Sequence, residues 1–149
     1  MILREILTRS VNYDSTLEKN VLNKFCIKQG GISIEKDAFF SQLWQGFVWA
    51  TVIGFIKNKR SKLTQPVSSS FKMNVISNQN PLIFKSLILM AVSKSENGIE
   101  IVEDPSEILM ILSEYAKGGA EYIDEIRSSP GKQSYFNHPQ DYLEEIMDR

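Results

Sequence analysis

Four cations fall within six residues, Lys57, Lys59, Arg60 and Lys62, directly after the most apolar stretch of the chain. Cationic side chains at this density form a compact site for phosphates or carboxylates. If the preceding stretch is a helix, one or two of the four instead complement the partial negative charge at its C-terminus. Lys72, further along, is an auxiliary candidate contact. Binding through such a cluster is non-specific and strongly salt-dependent.

Other residues with chemical potential are less persuasive. Glu121, Asp124 and Glu125 lie within one helical turn, as do Glu144, Glu145 and Asp148. Such groups can hold a hard cation or supply an acid and a base, but on amphipathic helices they are expected to form the solvated face. The lone histidine, His138, sits beside Pro139 in a polar tail, a poor place for a preorganised site. The lone cysteine, Cys26, lies on an apolar helix face and is expected in the core. One His and one Cys make a structural zinc site improbable and exclude an internal disulfide. No Walker-type phosphate loop, paired-cysteine motif or HExxH sequence occurs, and Gly30-Gly31 is too short a glycine run to cradle phosphate. No catalytic residue, metal or cofactor is therefore assigned, and the expectation is that the protein is not an enzyme.

The net charge of −1 hides a sharp division. Residues 1–95 carry 13 Lys/Arg against 5 Asp/Glu, whereas residues 96–149 carry 4 against 13. The two halves either neutralise each other within the fold or leave a basic face for nucleic acid or an acidic partner. Arg4, Glu5 and Arg9 interrupt any signal-peptide apolar region. The longest near-apolar run, Leu43 to Ile56, is shorter than the roughly twenty residues a membrane span needs. A cytoplasmic protein without membrane association is expected.

The chain length suits one domain, expected to span residues 1–149 with 1–14 and 128–149 peripheral. The pattern predicts a mostly α fold: a helical bundle of five to six helices around a central apolar helix at about 36–59, with little or no strand. Within that helix Gly46, Ala50 and Gly54 recur every fourth position and share one face, where another backbone can approach closely. Its partner is expected to be either Pro81–Lys94 or the helix that begins at Pro105. Trp44 and Trp49 lack interleaved basic residues, so core packing rather than base stacking is expected.

A helix near 15–27 is capped by Asn12, Asp14 or Ser15. Residues 61–80 form a polar loop containing Ser68-Ser69-Ser70, broken by a short helical or extended piece from Phe71 to Ile76. Asn80-Pro81 and Asp104-Pro105 each place a cap before a proline at the first helical position, and Glu107 completes a capping box. Ile99 to Val102 reads as a short extended connection. Gly118-Gly119 is expected to end or kink the helix from Pro105, and a short amphipathic helix is expected from about Pro139 to Met147.

Two stretches together resemble a known group: Phe47-Val48-Trp49-Ala50-Thr51-Val52-Ile53-Gly54-Phe55 with Lys59-Arg60, and Tyr115-Ala116-Lys117-Gly118-Gly119 through Ile126. They are similar to the small accessory proteins encoded beside bacterial dnd DNA-sulfur-modification (phosphorothioation) systems, the family called Dnd system-associated protein 4. The resemblance covers roughly residues 35–127. It implies a mostly helical protein associated with defence based on DNA backbone modification, and it carries over no catalytic residue.

The expectation is thus a non-enzymatic accessory of a bacterial DNA-modification or anti-phage system. Its partner would be a protein or the DNA backbone, contacted through the basic cluster. The alternative is a homo-oligomeric interaction module, such as a homodimer, whose basic and acidic halves dock between copies. A metal-using nuclease subunit built on the acidic helices is the weakest reading.

Overall fold

The structure, a computed structural model, describes residues 4–26, 40–67 and 71–128, together with 140, 141, 144 and 145. The glycine pair at 30–31, the triple serine at 68–70, His138 and most of the expected tail helix lie outside these residues. The fold is mostly α, as the sequence predicts.

Its centre is a pair of helices, α4 (Leu43–Ile56) and α7 (Pro105–Arg127). Ala50 meets Gly119 while Gly54 meets Tyr115, so the two run antiparallel. A Cβ on Gly119 would overlap the Ala50 carbonyl oxygen and lie 2.8 Å from the Ala50 carbonyl carbon. A Cβ on Gly54 would overlap the Tyr115 carbonyl oxygen. The contact is thus backbone against backbone, a distance open only to glycine. Gly46 faces elsewhere, towards the side chains of Leu22 and Cys26.

This crossing explains why α7 continues unbroken through Gly118-Gly119 rather than ending or kinking there. Two mid-helix glycines cost about 1 kcal/mol each in propensity, but here they admit α4, and the burial on both sides holds the helix. Pro81–Lys94 (α6) is not the close partner of α4. It packs mainly on α5 (Met73–Gln79), the 3-10 turn Gly98–Glu103 and α7.

The N-terminal segment wraps this pair. Arg4–Leu7 forms α1, and Ser10–Val11 forms strand β1. Strand β1 pairs antiparallel with β2 (Phe71–Lys72), Ser10 opposite Lys72 and Val11 opposite Phe71. A continuous helical run follows, with Ser15–Leu17 (α2) and Asn23–Phe25 (α3) flanking a π-helical stretch, Glu18–Leu22. The run ends earlier than residue 27 because Cys26 turns extended and bridges Phe40.

The same bridge shortens the central helix at its start. The Phe40 N–H donates to the Phe25 carbonyl at 2.7 Å, so residues 40–42 are not helical. Gln42 then caps α4 in a reciprocal box with Gln45. Trp44, Phe47, Trp49 and Ile53 are buried, with Trp49 edge-on to Phe25 at 5.3 Å between ring centroids.

The two proline-led caps form as predicted. Asn80 Oδ1 accepts the Ile83 N–H and Asp104 Oδ1 accepts the Glu107 N–H. Glu107 does not close a capping box; its carboxylate accepts from Ser95 and Asn97 instead. Residues 98–103 form a 3-10 turn rather than an extended connection. The turn buries Ile101, whose carbonyl then accepts the Asp104 N–H.

Candidate functional site

The basic segment begins where α4 stops, at Ile56. Asn58 adopts φ +53°, the left-handed conformation that asparagine tolerates better than most residues. Around it the Lys59 N–H donates to the Gly54 carbonyl at 2.8 Å and the Asn58 N–H to the Phe55 carbonyl at 3.2 Å. This paired pattern closes a helix C-terminus and redirects the chain. The cations therefore lie beyond the last turn of α4, not within it.

The redirected backbone is fixed to α7. The Lys59 carbonyl sits against Gly118, so closely that any Cβ there would overlap it. The Ser61 N–H donates to the Glu114 carbonyl at 3.1 Å, and Lys117 Nζ donates to the Lys62 carbonyl at 2.7 Å. The four basic side chains leave a backbone held at successive points.

They are not equivalent. Arg60 forms an ion pair with Glu114 at 2.7 Å and lies 5.8 Å over the Tyr115 ring. Lys57 is half-buried, 5.5 Å over the Tyr122 ring. Lys59 and Lys62 are exposed, with no side-chain partner among the described residues. Lys72 belongs to a different element, the two-stranded ribbon, opposite Ser10. The structure adds a cation that sequence reasoning passed over. Lys94, at the end of α6, lies 5.2 Å over Phe55, which is edge-on to Tyr115 at 6.0 Å. Lys94 and Arg60 thus each lie over one ring of this aromatic pair. Its position in the last turn of α6 is the sequence signal for a helix end, and nothing local ties it to residues 57–62.

A second feature missed from sequence lies beneath the segment. Asp14 is fully buried and Lys117 is 8% exposed, with Lys117 Nζ 3.8 Å from Asp14 Oδ2. Asp14 caps α2 through the Thr16 N–H at 3.0 Å and accepts the Thr64 and Gln65 N–H groups at 2.7 and 3.0 Å. Burial pushes its carboxyl up, but the donors from Thr16, Gln65 and Thr64 outweigh this and hold it well below the usual carboxylate range. One carboxylate thereby joins the N-terminal helix, the 61–67 segment and α7. The capping role was legible; the lysine across the fold was not.

The remaining candidates are placed simply. Glu121 and Asp124 are exposed on α7. Cys26 is buried, and burial raises its thiol to about 11, so it is a core residue with little thiolate at neutral pH. Among the described residues no three of His, Cys, Asp or Glu converge as a metal-binding group. No described helix is long and apolar enough to cross a membrane.

These observations define a class: a small, mostly α protein with a row of cations just past a helix end, on a segment braced by backbone contacts. The family described as DNA sulphur modification system-associated protein 4 matches residues 27–145, and the chain belongs to it. The match extends beyond residues 35–127 at both ends. Residues 1–26, including Asp14, precede it. No curated protein and no solved structure matches the chain.

Proposed function

We propose that the protein is a non-enzymatic accessory of a bacterial DNA-modification and anti-phage system, and that it holds the DNA backbone at the end of α4. The observation that carries this reading is the exposed pair Lys59 and Lys62 on a backbone pinned to α7; Lys94, over Phe55 of α4, is a further candidate contact. Pinning lowers the ordering cost of binding, since only side chains remain to be fixed. Arg60 acts differently: its pairing with Glu114 makes it a brace for the segment more than a phosphate contact.

The reading is tested by gel shift with duplex DNA. Three neutralised phosphates correspond to a log–log salt slope of about −2.7, a roughly 40-fold loss of affinity between about 50 and 200 mM salt. Combined Lys59→Ala, Lys62→Ala and Lys94→Ala substitution should abolish the shift. A wild-type protein that gives no shift at low salt removes the DNA reading.

A second reading, association between copies or with a protein partner, has one observation in its favour. Leu82 and Leu89 lie seven residues apart on one face of α6 and are 74% and 68% exposed. Light scattering across a salt series separates the two, because a monomer at every ionic strength counts against self-association.

A further inference from the structure

A groove of about 300 Å³ lies between the N-terminal segment, Leu63 and the first half of α7, and none of Lys57, Lys59, Arg60 or Lys62 is among its described lining residues. On α7 its lining residues are Ser106, Leu109, Met110 and Ser113, one face of nearly two helical turns. At 1.5 Å per residue, Ser106 and Ser113 are roughly 10 Å apart.

The two ends differ in chemistry. At the Ser106 end stands Arg9, whose Nη1 donates to Ser106 Oγ at 3.3 Å, leaving its other side-chain N–H donors without a hydrogen bond among the described residues. Ser10 and Asn12 line the same end. Lys72 is directly opposite Ser10 in the ribbon, and directly paired residues project to the same face. At the other end Ser113 lines the groove, and its hydroxyl makes no hydrogen bond among the described residues. A hydroxyl that lines a groove can both donate to and accept from a ligand held there. Leu63, Leu109 and Met110 supply an apolar wall.

Among the described residues no carboxylate lines the groove. Four acids close in sequence to its lining residues are engaged elsewhere: Glu114 with Arg60, Asp104 with the Glu107 N–H, Glu107 with Ser95 and Asn97, and Asp14 with its backbone donors and Lys117. The groove therefore selects an anionic group at one end, an apolar or flat body, and a hydrogen-bonding edge about 10 Å away.

We propose that the groove binds a nucleoside monophosphate, its phosphate at Arg9 and Ser106 and its base edge at Ser113. The phosphate monoester can come from a free mononucleotide or from the 5′ end of a nucleic-acid strand. This site is independent of the DNA contact proposed above, since it uses neither Lys59 nor Lys62.

The test is calorimetric titration of the full chain with the four deoxynucleoside monophosphates and with inorganic phosphate. Saturable nucleotide binding is expected, weakened about tenfold or more by Arg9→Gln and abolished by Ser113→Leu, which fills the deep end. The Lys59→Ala/Lys62→Ala variant should bind the nucleotide as the wild type does. Circular dichroism of each variant shows that the fold persists, and Ser113→Ala substitutes if Ser113→Leu does not fold. Better competition by a 5′-phosphorylated oligonucleotide than by its 5′-hydroxyl twin assigns the ligand to a strand end; competition by neither assigns it to the free nucleotide. No heat with any nucleotide, binding equal to that of inorganic phosphate, or binding unchanged by both Arg9→Gln and the Ser113 substitution overturns the proposal.

Discussion

Replacing Gly119 with alanine sets two effects of opposite sign against each other. An interior Gly→Ala exchange in a helix gains about 1 kcal/mol of propensity. Against it stands the collision of the new methyl with the Ala50 carbonyl. Carbon contacts are optimal near 3.5–4.0 Å, so relief requires the α4 and α7 backbones to part by on the order of 1 Å. The obstacle is main chain on a buried helix and cannot rotate aside. Overpacking of this kind costs about 3 kcal/mol, the upper end of the usual range. The expected net loss is about 2 kcal/mol, a large share of a total that is about 5–15 kcal/mol for a protein of this size.

Urea unfolding measures this. With m near 2 kcal/mol/M, the midpoint should fall by about 1 M at unchanged slope. Gly54→Ala should behave alike, since its methyl meets the Tyr115 carbonyl. Gly46→Ala is the internal contrast. There the nearest atoms are Leu22 Cδ2 at 2.8 Å and Cys26 Sγ at 2.9 Å, both side-chain ends that can shift, so the propensity gain should bring the net change close to zero. A Gly119→Ala protein as stable as wild type, or more so, would refute the backbone-contact account of this crossing.

Four further outcomes follow from the same geometry. Asp14→Ala should cost about 3–5 kcal/mol, because it strands buried donors and leaves Lys117 without its carboxylate; denaturant melts of the single and Lys117→Met variants measure it. Asp14 has a lowered pKa, so its stabilisation is complete at neutral pH and is lost as pH falls below about 3.9, the ordinary aspartate value; acid titration of Asp14→Asn should show a correspondingly flatter loss. Arg60→Ala should cost about 1–3 kcal/mol by leaving the largely buried Glu114 unpaired, whereas Lys59→Ala should leave the melting temperature unchanged. Tyr122→Phe removes a buried hydroxyl that has no hydrogen-bond partner and should be neutral or stabilising by about 1 kcal/mol.

What was legible in the sequence was whatever one helix states alone. The Asn80-Pro81 and Asp104-Pro105 caps, the Asp14 cap and the periodicity of α6 and α7 are written in consecutive residues, and all appear in the fold. Errors arose where a partner distant in sequence overrode a local preference. Gly118-Gly119 carries the local mark of a helix stop, but its meaning is set by Ala50 and Lys59, more than fifty residues earlier. Residues 40–42 continue the apolar pattern of α4, yet a backbone bond to Phe25 draws them out of the helix. Ile99–Val102 has the β-branched content of a strand but no neighbouring strand among the described residues, and it closes its bonds locally as a 3-10 turn.

The same division governs the basic segment. Charge density is a local property and could be read directly at Lys57, Lys59, Arg60 and Lys62. Which of those charges remains free depends on Glu114, Tyr115 and Tyr122, which a string of residues does not place beside them. The pairings also run against the overall charge division. Arg60 with Glu114 joins the basic half to the acidic half, whereas Asp14 with Lys117 joins an acid of the basic half to a base of the acidic half. Both contacts bracket one stretch, residues 60–64, and neither engages the side chain of Lys59 or Lys62. These two ion pairs between the halves therefore fix the backbone of the segment, while the charge of Lys59 and Lys62 that could meet a phosphate is left on its surface.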